Sequence, residues 1–494
     1  MNTSIIRITP ENHDEYINKT DRPIVILYFS EFCVHCKRAI RSLFVMSQSM
    51  DGILNFGMCQ VDGLDDFRLE KGIINLPSIC VWQNGEKLEF QEGFDEIYGI
   101  GNALKATLVP NPNLRYVYAD NAATTKISKT ALEAFVNCSN EYFGNPSGNY
   151  ETGKKAKSVI RNAKRTIASC LGLKNGKVIF TSGGTEADNM AICSALDFGR
   201  ETGRKHVIVS SIEHHAVLNA IEKYASDDFR ITVLPVSSGG YVNASDVRES
   251  ICEDTCLVSV MLANNEVGTI QPIKTIGALC KKNDILFHVD AVQAAGHIPV
   301  AFSECNIDYL AISAHKFNGP KGVGALLVNA GKPISRIIAG GHQEYGFRAG
   351  TENVPGIGSM AAALHDSCKG MKENAARIRQ LKELLVEGLC TIPDVRINNT
   401  SQNVLPGILS VSIKGVNAKA LSYVLDEAEG VTVSTGAACT SMESNLSHVL
   451  LAMKMKEDRI TSTVRISLGT NNDEEDIQYL ISAFERSIRY LRKK

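Results

Sequence analysis

Several specialised classes of protein are excluded by what this sequence does not contain. No apolar run reaches the roughly 18 residues that a membrane-spanning helix needs. The opening MNTSIIRITPENHDEY has no basic start followed by a long apolar stretch, so no secretory signal is expected and the cytoplasm is the default location. Charge of one sign is not in excess. The 52 Lys and Arg stand against 54 Asp and Glu, a net −2 that makes neither nucleic acid nor a membrane surface an expected partner. Cysteine is not concentrated either. The 14 cysteines are scattered over 494 residues, unlike the dense framework of a small secreted domain, so most are expected to be reduced and buried. Cys252 and Cys256 sit four apart, with no second close pair of Cys or His in the nearby sequence. Core packing is expected there, and no metal site is expected. The sequence also has no internal repeat and no low-complexity segment.

What is present is an ordinary globular composition, 44% apolar and 21% charged, in a chain too long for one hydrophobic core. Residues 24–30, IVILYFS, read as a buried strand that turns into a helix at EFCVHCKRAIRSLF. FGMCQVD at 56–62 and SICVWQ at 78–83 are further strand candidates, the latter introduced by Leu76-Pro77 and followed by the turn Asn84-Gly85. These make one small domain over 1–108. VPNPNLR at 109–115 reads as a linker. Beyond it, KVIFTS, HVIVSS, LVSVML, ILFHVD, YLAISA and GALLV alternate with amphipathic helical stretches. That pattern predicts an α/β domain over 116–371 with a mainly parallel sheet covered on both faces. From 372 to 494 the pattern changes to a smaller α+β domain with a long final helix.

Chemistry-bearing residues collect where these strands end. Asp290 ends ILFHVD, and Gln293 follows three residues on. Lys316 follows YLAISA in the run Ser313-Ala314-His315-Lys316. TSGGTE at 181–186 follows a strand and opens a helix, with Gly184 and Thr185 at its N-terminus. His214 follows HVIVSS. Taken singly, each has a plainer reading as a cap, a polar loop or a structural histidine, as His215 is expected to be. Taken together they match what pyridoxal phosphate requires: a lysine for its aldehyde, an anion for its pyridine nitrogen, and backbone N–H groups with hydroxyls for its phosphate.

From about 117 to the end, roughly three quarters of the chain, the sequence resembles the cysteine desulfurases of the NifS/IscS type, fold-type I pyridoxal-phosphate enzymes. The resemblance rests on YADNAATT, FGNPSG, TSGGTEADN, EHHAV, ANNEVGTIQPI, HVDAVQAAG, SAHKFNGPKGVGAL, GFRAGTEN, STGAACTS, SHVLLAM and VRISLG in that order. It implies that Lys316 bonds the cofactor, that Asp290 pairs with the pyridinium and that His214 stacks on the ring. It implies that Asn265 and Gln293 contact cofactor or substrate, and that Thr185, Ser313 and His315 hold phosphate. It also implies a homodimer in which Thr351 of one subunit reaches the phosphate of the other. Cys439, in the small-residue run STGAACTSMESN, becomes the nucleophile that takes sulfur from L-cysteine as a persulfide and leaves L-alanine. Arg465 in VRISLG becomes the grip on the substrate carboxylate. A protein sulfur acceptor of unspecified identity follows from that chemistry. The alternatives are a selenocysteine lyase, another fold-type I enzyme such as an aminotransferase, or a disulfide oxidoreductase whose cofactor half has decayed.

Cys33-Val34-His35-Cys36 is a C-x-x-C at a helix start, where the helix dipole favours the thiolate of the first cysteine. Cys33 is therefore the expected attacker and Cys36 the resolver. With Leu76-Pro77 and the hairpin after it, residues 1 to about 108 resemble thioredoxin. Val-His stands where thioredoxin has Gly-Pro, and Phe32 where it has tryptophan. Cys59 and Cys80, in strand-like runs, are expected to be structural. The fusion suggests that Cys33 accepts or reduces the persulfide on Cys439.

Overall fold

A computed structural model describes residues 5–19, 22–50, 54–92, 114–399, 403–435 and 446–492. The N-terminal part is a five-stranded sheet in the spatial order Ile6–Ile8, Asn55–Gln60, Ile24–Phe29, Ser78–Gln83, Glu86–Glu92. The first three strands are parallel and the last two antiparallel. Ile24–Phe29 is central and covered on both faces, which is why it is a continuous apolar run. Its one polar group, the Tyr28 hydroxyl, is paired with His13 Nε2 at 2.7 Å and accepts from Trp82 Nε1 at 3.2 Å. Asn84 and Gly85 both take positive φ, 50° and 80°, the requirement of a two-residue hairpin turn. Ile6–Ile8 and the helix Pro10–Asn18 were not legible, because three residues show no periodicity.

The larger domain carries a seven-stranded sheet in the order Gly176–Thr181, Gly324–Asn329, Tyr309–Ser313, Leu286–Asp290, Thr255–Ser259, His206–Ser210, Arg230–Leu234. Gly324–Asn329 is antiparallel to both neighbours, and the other strands run one way. Alternate residues serve two separate cores. Ile208, Val258 and Phe287 face one, and Val207, Val209 and Leu257 face the other. Arg230–Leu234 escapes sequence reading because it is an edge strand with exposed Arg230 and Ile231.

The smaller domain has the antiparallel strands Val395–Ile397, Ile408–Ile413 and Thr463–Ser467, packed on helices Met371–Cys390, Ala418–Glu429 and Glu474–Arg492. Val431–Thr432 stands outside this sheet and pairs in parallel with Val117–Tyr118. Val117 and Ala119 are buried among Leu421, Val431 and Ile466. The stretch just after the linker therefore packs with the smaller domain rather than with 122–371, a difference from the boundary expected at 116. A two-residue strand has no pattern of its own to reveal its partner. The two halves of the chain also touch. Val25, Leu27, Ala39 and Leu43 share one buried cluster with Ala420, Val424 and Ala428 of the smaller domain.

Candidate active site

The carboxyl ends of neighbouring strands converge on one pocket. Gly183 caps the helix Gly184–Thr202, which points its free backbone N–H groups at an open cavity of about 470 Å³. Ala123, Thr124, Thr185, Ser313, His315 and Lys321 line it. Gly184 has to be glycine for a packing reason: a Cβ there would lie 2.7 Å from Val292 Cγ2 and 3.5 Å from the Ser313 side chain. The helix start is thus pressed against the loop after Asp290. Glu186 fixes the turn, accepting from the Ser182 amide at 2.7 Å and from Arg348 Nε at 2.8 Å. This is a cradle for an anion of phosphate size.

Asp290 and Lys316 stand beside the cradle on adjacent strands' ends. Lys316 Nζ donates to the carbonyls of Ala122 and Ala123 at 2.6 and 2.8 Å. Gln293 Nε2 donates to the same Ala122 carbonyl at 2.8 Å. Burial, with the Arg465 guanidinium, pushes the Lys316 amine down to about 8, while Asp290 and Asp120 oppose that shift. Burial pushes Asp290 up to about 6, against the Val292 amide that it accepts from and the nearby Lys316. His214 caps the helix His215–Ala225 through Nδ1, which accepts from the Ala216 amide at 3.1 Å. The residue is exposed, yet protein atoms crowd around its ring. That desolvation, then Lys316 and His215, pushes it down to about 4. His214 is therefore neutral at physiological pH, with its proton on Nε2.

Arg465 is buried at 5% exposure, with Nη2 on Asp120 Oδ1 at 2.6 Å and Nη1 on the Asn265 carbonyl at 2.9 Å. Its Nε has no hydrogen-bond partner among the described residues. Asp120 thus belongs to the site, although only its motif, YADNAATT, stood out in the sequence. Asn265 enters through its carbonyl. The donor set fits pyridoxal phosphate: an amine lies within electrostatic range of a buried carboxyl and an imidazole, beside a Cβ-free N–H cradle.

A family model for Aminotransferase class-V matches residues 117–480, and one for Thioredoxin matches residues 4–106. A cysteine desulfurase IscS of Methanosarcina thermophila is 42% identical over 376 residues, covering 76% of this chain and 93% of that protein. The chain belongs to the cysteine desulfurase family. A solved structure described as a NifS-like protein is similar to this desulfurase at a TM-score of 0.71 and 36% identity, covering 75% of this chain and 99% of that one. A structure of SspA in complex with cysteine is similar at a TM-score of 0.63 and 33% identity, covering 71% and 98%. The family is pyridoxal-phosphate-dependent, in keeping with the donor set.

Cys439 of the desulfurase lies outside the described residues. Thr351 is exposed and follows Arg348, which is bound to Glu186 of the same chain. In the N-terminal domain Cys33 caps the helix Val34–Ser49, its Sγ accepting from the Cys36 amide at 3.2 Å. Cys33 Sγ also lies 3.8 Å from the carbonyl of Leu76, whose bond to Pro77 is cis. Cys36 is fully buried, and burial together with Cys33 pushes its thiol up to about 11. Cys59 and Cys80 are fully buried as well.

Proposed function

We propose that this desulfurase converts L-cysteine to L-alanine and leaves the sulfur as a persulfide on Cys439. Support comes chiefly from one observation: Lys316 lies within electrostatic range of Asp290 and Arg465, beside a cradle suited to phosphate. When bound, pyridoxal phosphate supplies an aldehyde for Lys316 and an electron-poor ring that accepts the electron pair released at the substrate Cα. Asp290 would keep the ring nitrogen protonated, and Gln293 would contact the cofactor or the substrate. Thr185, Ser313 and His315 would hold the phosphate with the amides that follow Gly183, and Thr351 of a second copy would complete that grip in a homodimer. Arg465 binds the substrate carboxylate. Lys316, as a free amine, would take the proton from the substrate Cα. The Cys439 thiolate attacks the substrate sulfur. A sulfur–sulfur bond forms as the carbon–sulfur bond breaks, the electron pair stays with the carbon fragment, and that fragment leaves as alanine after protonation. Neutral His214 would stack on the cofactor ring and exchange protons through Nε2.

The persulfide passes to a protein acceptor in the cytoplasm, with Cys33 of the thioredoxin domain receiving or reducing it. Cys439→Ala tests the reading. The variant is expected to keep the visible absorbance of the bound cofactor and to lose sulfide release from free cysteine. Retained release would remove Cys439 from the reaction.

A further inference from the structure

Beneath the cofactor cleft lies a group of buried titratable side chains that the mechanism does not use. Asp188 sits one turn into the helix Gly184–Thr202, directly after the cradle, at 1% exposure. Its Oδ1 faces His288 Nε2 at 3.3 Å, and neither atom has a hydrogen-bond partner among the described residues. The other nitrogen of His288, Nδ1, is 2.9 Å from Ser259 Oγ. His288 is fully buried two residues before Asp290 on the same strand, and so on the same face of the sheet. Glu213, fully buried and next to His214, uses Oε1 twice: it accepts from Ser210 Oγ and from the Met261 amide at 2.8 Å. Its Oε2 has no hydrogen-bond partner among the described residues. Asp188, Glu213 and Asp290 lie within electrostatic range of one another.

Three carboxylates cannot all be charged in a dry interior. Among the described residues no lysine or arginine is paired with Asp188 or Glu213, whereas Lys316 faces Asp290. An unpaired buried carboxylate costs far more than a buried acid. A charge on either hidden group would also repel Asp290 and draw the proton onto it, removing the anion that the ring nitrogen needs.

We propose that Asp188 and Glu213 are uncharged acids, each keeping its own proton, so that Asp290 is the single anion of the three. Protonated Asp188 faces the unprotonated Nε2 of His288 at 3.3 Å, and His288 donates from Nδ1 to Ser259 Oγ. The pair then shares a consistent set of hydrogens with no net charge. Burial favours the same state, raising Asp188 well above the carboxylate range, Glu213 to about 8, and lowering His288 to about 3. The proposal rests on the reading that Asp290 faces the ring nitrogen.

The test uses infrared spectra of the full-length apoprotein and pH titration of the visible band after loading with pyridoxal phosphate. Carbonyl stretches of protonated carboxylic acids are expected at neutral pH, with one component lost in Asp188→Asn and another in Glu213→Gln. Both variants keep the native charge, so the visible titration should stay within about 0.3 unit of the parent. Removing a true charge from this pocket would move it by on the order of one to two units. Absence of either carbonyl band, or a displacement of a unit or more, overturns the proposal. Should a variant fail to fold, the parent spectrum decides: bands that vanish near the ordinary carboxylate range of roughly 4 contradict it. If the cofactor is found on a lysine other than 316, the site reading fails while the apoprotein bands stand. Missing bands with the cofactor on Lys316 sink this inference alone.

Discussion

Gly184→Ala is a small change with a calculable consequence. The added Cβ would lie 2.7 Å from Val292 Cγ2, whereas carbon atoms rest at about 3.5–4.0 Å. Helix propensity favours alanine by up to about 1 kcal/mol, so the contact decides the sign. Overpacking of this kind costs about 1–3 kcal/mol. The relief open to the structure is to lift the helix start off the loop after Asp290. That movement carries the N–H cradle away from the phosphate while Lys316 and Asp290 stay in place. If the whole cost falls on binding, cofactor affinity drops by about 5- to 150-fold. Titrating the apoprotein with pyridoxal phosphate and following the visible band measures this. Val292→Ala in the same chain removes the opposing methyl and should restore most of the affinity, a coupling that a double-mutant cycle quantifies. Unchanged affinity in Gly184→Ala, or a double variant as weak as the single, would refute the cradle.

Burial and Arg465 hold the Lys316 amine near about 8, so its capture of pyridoxal phosphate by the apoprotein should quicken about tenfold per pH unit below 8 and level off above it. A rise continuing to pH 10 would indicate an ordinary lysine. Arg465→Lys cannot reach both Asp120 and the Asn265 carbonyl, and should raise KM for cysteine by about 10- to 100-fold with the cofactor band intact. A KM that stays at the parent value would assign Arg465 to structure alone. Cys33→Ser should slow persulfide turnover measured without added thiol reductant. Parent rates that are equal with and without reductant would count against coupling between the dithiol and Cys439.

The chemistry was more legible in the sequence than the domain borders were. Asp290, Ser313 and Lys316 could be placed because a run of apolar, β-branched residues ends abruptly in polar ones, and in parallel sheets such ends gather ligands. Gly184 was legible for the same reason, although its demand for space comes from Val292, more than a hundred residues away. Long-range partners left no such mark. Nothing local to VRISLG reveals that Arg465 rests on Asp120, or that Val117 joins the core of the smaller domain. The cysteines divided similarly. Cys256 is buried as its strand pattern predicts. Cys252 is half-buried and accepts from Arg230 at 3.0 Å, with His206 nearby, because a second strand brings those side chains alongside. The contact of Leu27 and Leu43 with Val424 is a meeting of apolar surfaces that both halves would need in any fold.

Reduction of the loaded protein with borohydride, followed by peptide mapping, locates the covalent attachment of pyridoxal phosphate. The cofactor mass is expected on the peptide that contains Lys316, and Lys316→Ala should abolish both that adduct and the yellow colour. Attachment at another lysine, or colour retained by Lys316→Ala, would contradict the account.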